Sequence, residues 1–141
     1  MRTEWNARVV EELYSGCKKS LSDAKASICG DLLVPGAIEL PFAIRQYWNK
    51  TRNSKSRRPE AFIALGCVIR GGTPHFEYVC RSVTDGILRL NLSLPVPVIF
   101  GVLTVDNLEQ ALERIGGIHG HTGEEAAQTA LKMISFCRNI R

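Results

Sequence analysis

A three-layer α/β sandwich, a parallel sheet with helices on both faces, is the fold class this sequence predicts. Two apolar runs, Ala61–Ile69 and Leu94–Leu103, lack the alternation of half-exposed strands and are short and β-branched enough to be buried on both faces. Each leads into a stretch with apolar residues at helical spacing. The strand-then-helix order recurs along the chain, which calls for parallel pairing through helical crossovers.

The length, 141 residues, matches one domain spanning residues 1–141 and is enough to bury a real core. No internal repeat interrupts it. No apolar run reaches membrane-spanning length, and MRTEWNARVVEEL has no signal-peptide core, so a cytoplasmic protein with no membrane partner is expected. Five cysteines, an odd number without a CxxC pair, argue for reduced, mostly buried thiols rather than disulfides or zinc. The net charge of +4 suits an anionic small molecule and does not by itself imply nucleic acid.

Taken in order, Trp5-Asn6 opens a helical pattern of Val9, Val10, Leu13, Cys17 and Leu21, with no strand read ahead of it. Trp5 is either a staple against that helix or a stacking platform for a planar ligand, the staple being the commoner role. Asp31–Val34 reads as a short strand ending at Pro35-Gly36. Ala37–Trp48 follows as a helix with Ile38, Phe42, Ile44 and Trp48 on its apolar side and Pro41 near its start. Glu39, in the opening turn, complements the helix dipole or accepts hydrogen bonds from a polyol or amine. The basic loop Lys50–Pro59 has no interleaved aromatics and reads as a solvated connection.

The stretch Ala61–Cys80, AFIALGCVIRGGTPHFEYVC, organises the rest. After the strand, Gly71-Gly72 breaks the pattern, Thr73 is a candidate N-cap, Pro74 fits the first helical position and Glu77 the first turn. Two glycines let backbone approach a ligand, and free amides at a helix start favour an anion, typically phosphate. His75 sits where a proton-transfer group could reach that ligand. The turn is neither a P-loop nor a dinucleotide fingerprint, and a tight turn with a surface histidine fits the same residues. Val79, Val83 and Ile87 continue the helix.

In the second strand Phe100 reads as core. Asp106 or Asn107 caps a helix with Leu108, Ala111 and Leu112 inward, and Arg114 offsets the dipole in its last turn. Gly116–Gly123 is a glycine-rich loop whose His119 and His121 are weak support for a metal site. A last helix runs from about Gly123 to Ile140, with Ala127, Ala130, Leu131 and Ile134 on one side.

Three segments, LVPGAIELP (Leu33–Pro41), ALGCVIRGGTPHFEYVC (Ala64–Cys80) and PVIFGVLTVDNLEQALERIG (Pro97–Gly116), resemble the lumazine synthase family in order and spacing. The resemblance implies a flavodoxin-like fold and a transferase of riboflavin biosynthesis. Such an enzyme condenses a ribitylamino-pyrimidinedione with 3,4-dihydroxy-2-butanone 4-phosphate, without metal or organic cofactor. It further implies that Trp5 and Asn6 cover the pyrimidine ring, that Ala37, Ile38 and Glu39 hold the ribityl chain, and that Val68 and Ile69 line the heterocycle. Gly72 and Thr73 would cradle the phosphate and His75 transfer protons. Phe100 and Arg114 would come from a neighbouring subunit, Arg114 gripping the phosphate.

Three departures from the family pattern stand out. The family has a strand before the aromatic–Asn pair where this chain has Met1–Glu4, so that first core strand is either misassigned or missing from the sheet. Thr122 stands where a lysine is usual, with His121 as a partial substitute. The basic loop around Ser54 is longer than usual. The resemblance also implies a homo-pentamer, in some members twelve pentamers closed into a shell of sixty subunits, with riboflavin synthase as a further partner. Two other functions fit some of the residues: a scaffold of the same fold that binds flavin or lumazine without turnover, and, less well, an RNA-contacting module using Lys50–Arg58.

Overall fold

The computed structural model describes residues 1–140; Arg141, the last residue of the expected domain, lies outside the described residues. Four strands, β1 (Arg2–Thr3), β2 (Leu33–Val34), β3 (Phe62–Ile69) and β4 (Val98–Val105), pair in parallel in the order β2-β1-β3-β4. Because side chains alternate along a buried strand, β3 sends Phe62 and Ala64 to one face and Leu65 and Cys67 to the other. On the first face they meet Leu40, Ile44 and Trp48 of α2 (Leu40–Thr51) and Val83, Ile87 and Leu90 of α3 (His75–Ser93). On the second they meet Val9, Val10 and Leu13 of α1 (Ala7–Asp23) and Ala126, Ala127 and Ala130 of α5 (Thr122–Asn139). Leu13, Leu40 and Ile44 are fully buried and each contributes about 1.5–3 kcal/mol of transfer free energy. The α/β sandwich is as expected.

The strand ahead of Trp5 is present. β1 has only two residues, too few to show any hydrophobic period, and it is held by main-chain bonds. Arg2 N–H donates to Leu32 C=O at 2.9 Å, Glu4 N–H to Val34 C=O at 2.9 Å, and Leu65 N–H to Met1 C=O at 2.9 Å. The Met1 amine donates to Ile63 C=O at 2.8 Å, and burial lowers its pKa. Thr3 packs into the room left by Gly66, where a Cβ would sit 3.2 Å from Thr3 Cγ2.

Other boundaries also move. Pro95 and Pro97 keep Leu94–Pro97 out of β4, since proline lacks the ladder donor. Ala37–Glu39 forms a 3-10 turn ahead of α2, and Ile38 and Phe42 are exposed rather than packed inward. Phe100 of β4 is likewise exposed, as are Leu108 and Leu112, so only Ala111 of α4 (Leu108–Leu112) reaches the core. The glycine-rich loop is a short hairpin, β5 (Ile115–Gly117) against β6 (Gly120–His121), and Gly116 and Gly120 take φ of +109° and +84°. Such left-handed backbone is open to glycine at little cost. All five cysteines are free, yet burial is partial: Cys17 and Cys67 are buried and Cys29 is exposed.

Asn107 caps α4. Its side-chain oxygen accepts from Gln110 N–H at 2.9 Å, while Gln110 Oε1 accepts from Asp106 N–H at 2.9 Å. This reciprocal pair anchors a five-residue helix that could not persist alone. Asn107→Ala is expected to lower stability by about 1 kcal/mol, read as a shift in the urea midpoint at constant m.

Candidate functional site

Loops at the carboxyl ends of β1, β2 and β3 converge, and this is where open parallel sheets place their ligands. Leaving β1, the chain turns sharply at Asn6, which takes φ 57° and ψ 42°, a left-handed conformation that asparagine tolerates better than most residues. Its carbonyl accepts from Val9 and Val10 N–H, starting α1, and its side-chain amide donates to Cys67 C=O at 2.8 Å. The turn is thereby tied to the end of β3 beside Val68. Trp5, just before it, is left 73% exposed. The indole is no staple buried on its helix.

From β2, Pro35-Gly36 leads into the 3-10 turn. A Cβ built on Gly36 would meet Glu39 Oε2 at 3.0 Å and Trp5 Cδ1 at 3.6 Å, so carboxylate and indole flank the same glycine. Ala37 is buried, while Ile38 and Glu39 are exposed.

From β3, Val68 and Ile69 are half-buried and Gly71, Gly72, Thr73 and His75 are exposed. A Cβ on Gly71 or Gly72 would meet nothing within 4 Å, and neither glycine has positive φ. Neither packing nor backbone conformation within the chain calls for glycine there; close approach by a ligand would. Thr73 does not cap α3: Pro74 occupies the cap position with φ −62° and no side chain bonds to the helix start. Proline's fixed φ already sets the turn, one residue later than Thr73 would.

Sequence reasoning missed Arg70, the first polar residue after the apolar run. Its Nε donates to Asp106 Oδ1 at 2.7 Å, its Nη1 pairs with Glu77 Oε1, and its guanidinium lies 4.2 Å over the Phe76 ring. The hydrogen bond and charge of Arg70 hold the Glu77 carboxyl below its usual range. Nothing periodic signals such a contact, because it joins a strand end to a helix and a loop.

Phe100 and Arg114 do not join this group within the chain. Phe100 lies near the start of edge strand β4, opposite Ala64, away from the carboxyl ends. Arg114 follows α4 rather than ending it. There it donates from Nε to Thr122 Oγ1 at 3.1 Å, from Nη2 to Glu125 Oε2 at 2.8 Å, and from Nη1 to His119 C=O. Thr122, in place of the lysine, thus steadies the arginine. The His121 ring lies on α1, where a Cβ on Gly16 would sit 2.2 Å from Cε1, and its buried Nδ1 has no hydrogen-bond partner. His119 pairs with Glu113 at 3.4 Å.

Among the described residues no three His, Cys, Asp or Glu side chains gather as metal ligands, and no helix is long and apolar enough to cross a membrane. Burial pushes the Cys17 and Cys67 thiols up to about 11, so both stay protonated at neutral pH. Two cavities, about 820 and 630 Å³, share Arg58, Glu60, Ile134 and Arg138 at the opposite end of the sheet. The strand-end cluster is an open ledge: an aromatic face, a carboxylate, exposed backbone amides and an imidazole. Together these can bind a planar ring bearing a polyol chain beside an anion and move a proton between them.

A family model described as 6,7-dimethyl-8-ribityllumazine synthase matches residues 1–138. Proteins of that name are similar to this chain. The one from Parabacteroides distasonis is 43% identical over 94% of this chain and 81% of its own length. That from Porphyromonas gingivalis is 46% identical over 96% and 81%, and that from Bacteroides fragilis 43% identical over 95% and 91%.

Proposed function

The chain belongs to the 6,7-dimethyl-8-ribityllumazine synthase family, and on that premise we propose which of its residues carry the reaction. The activity is that of a transferase in riboflavin biosynthesis: 5-amino-6-(D-ribitylamino)uracil condenses with 3,4-dihydroxy-2-butanone 4-phosphate, releasing phosphate and water. The observation that carries the site assignment is the bond from Asn6 to the Cys67 carbonyl. It ties the turn that presents the Trp5 indole to the end of β3, directly upstream of the glycine turn, and the Glu39 carboxylate flanks the same Gly36 as that indole.

The pyrimidine ring stacks on Trp5 and lies along Val68 and Ile69, and Glu39 accepts from the ribityl hydroxyls beside the backbone of Ala37 and Ile38. Asn6 holds the turn that presents the indole. The butanone phosphate takes the exposed amides of Gly72 and Thr73, where oriented N–H dipoles stabilise the phosphate as it leaves. The pyrimidine 5-amine adds to the ketone and water departs to give the imine. Phosphate elimination follows and leaves an enol that tautomerises to a ketone; the ribitylamine nitrogen then attacks that carbonyl and a second water leaves as the second ring closes. Each step moves a proton, and His75, one turn from the phosphate amides, is the group within reach to relay it.

Phe100 and Arg114 act across a subunit boundary. Both are surface groups outside the strand-end cluster, and Arg114 is held in one geometry by Thr122 and Glu125. The active assembly is a homo-pentamer of single domains spanning residues 1–141, cytoplasmic, needing no metal or organic cofactor; a sixty-subunit shell enclosing riboflavin synthase is the larger form that some members of the family build. Exposed Ile38, Phe42, Tyr78, Leu92 and Phe100 are the apolar surface that such an assembly would cover. Mixing purified protein with the two substrates is expected to produce lumazine fluorescence. Stoichiometric binding of lumazine without turnover would instead support the non-catalytic scaffold, and light scattering reads the subunit number.

A further inference from the structure

The turn Gly71–His75 carries both the phosphate amides and the proton-relaying imidazole, yet within the chain its two glycines pack against nothing. A five-residue link with two glycines has a large conformational entropy unless its ends are fixed. One side chain fixes both. Arg70 stands immediately before the turn, with its N–H donating to Val105 C=O at 2.9 Å. Its guanidinium reaches over to the residues immediately after the turn, lying on the Phe76 ring and pairing with Glu77, while Nε is fastened to Asp106 beyond the end of β4.

We propose that Arg70 is a positioning residue for the condensation, closing the Gly71–His75 turn by forking between Glu77 and Asp106 over the Phe76 ring. The proposal rests on the roles given above to that turn and to His75. Arg70 touches no reacting atom; it acts by holding the amides and imidazole in register with the end of β3. Positioning of this kind is sensitive, because small displacements of a reacting group cost large factors in rate. The planar fork is essential: lysine has the charge but cannot span two carboxylates while lying flat on a ring. All three charged groups are more than two-fifths exposed, so the network contributes little to stability and its loss should leave folding intact.

Arg70→Met and Arg70→Lys are both expected to lower kcat/KM for the butanone phosphate about tenfold, with KM for the pyrimidine and the melting temperature unchanged. Glu77→Gln and Asp106→Asn should each lower it about threefold. If Arg70 instead bound phosphate directly, the last two changes would free its guanidinium and tighten that substrate, which would overturn the proposal, as would wild-type kinetics in Arg70→Lys. Hydrogen exchange of the Glu77 amide, which donates to Pro74 C=O at 3.1 Å where the turn enters α3, reads the turn independently of turnover and is expected to quicken at least tenfold in Arg70→Met. Unchanged exchange overturns the proposal whatever the rates. A wild-type chain that makes no lumazine fails the functional assignment above; an active wild type whose Arg70→Met variant keeps its exchange and kinetic constants fails this one.

Discussion

Replacing Gly123 with alanine is expected to destabilise the protein by about 3 kcal/mol, near the upper end for overpacking a core. A Cβ at Gly123 would lie 1.9 Å from the Leu13 carbonyl oxygen and 2.7 Å from its carbon. The obstacle is backbone, not the end of a side chain that could swing aside, so relief requires α1 and α5 to separate. Separation would open the contact of Val9, Val10 and Leu13 with Ala126, Ala127 and Ala130. Alanine's better helix propensity works in the opposite direction, but at most by about 1 kcal/mol, so the clash wins. Against a total of about 5–15 kcal/mol for a typical domain, the loss is large. Gly71→Ala is the matched control, since a Cβ there meets nothing within 4 Å. Urea unfolding of both variants checks the pair. Equal midpoints would show that the two helices do not approach backbone to backbone.

His75→Ala is expected to lower kcat roughly a hundredfold, the low end of what a positioned acid–base group supplies. It should leave KM for the pyrimidine unchanged, because stacking on Trp5 and bonding to Glu39 do not pass through the imidazole. Activity should not vanish. Holding amine and ketone together on one ledge supplies much of the acceleration, and that contribution survives the substitution. Steady-state kinetics with each substrate varied in turn separates these effects. Full wild-type turnover in His75→Ala would remove the imidazole from the mechanism. Activity falling to the uncatalysed rate would show that positioning alone contributes nothing.

The parts of the fold legible in the sequence were those whose signal is hydrophobic. Ala61–Ile69 and Leu94–Leu103 read as buried strands because both faces of the ladder they form meet helices, although Leu94–Pro97 stay outside it, and Val9, Leu13, Ile44, Val83 and Ile87 lie inside as their spacing says. β1 was hidden because main-chain bonds hold it, and they leave no pattern at a length of two residues. Phe42, Phe100, Leu108 and Leu112 were placed inward because an apolar side chain reads the same whether it meets its own core or another surface. Around the site, the glycine turn and His75 announced themselves through the break from strand to helix. The left-handed Asn6 and the fork of Arg70 did not, since both depend on neighbours sixty-one and thirty-six positions away.

The sheet is unevenly laced. β3 and β4 share eight consecutive rungs, whereas β1 meets β3 at one register position and β2 at two. Opening motions follow such seams, beginning where the fewest bonds must part. On warming, the margin bearing Trp5 and Glu39 should therefore loosen while the central ladder beneath His75 is still intact. The ledge would lose its hold on a flat ring before its hold on an anion, and heat would first dull its selectivity for the larger reactant.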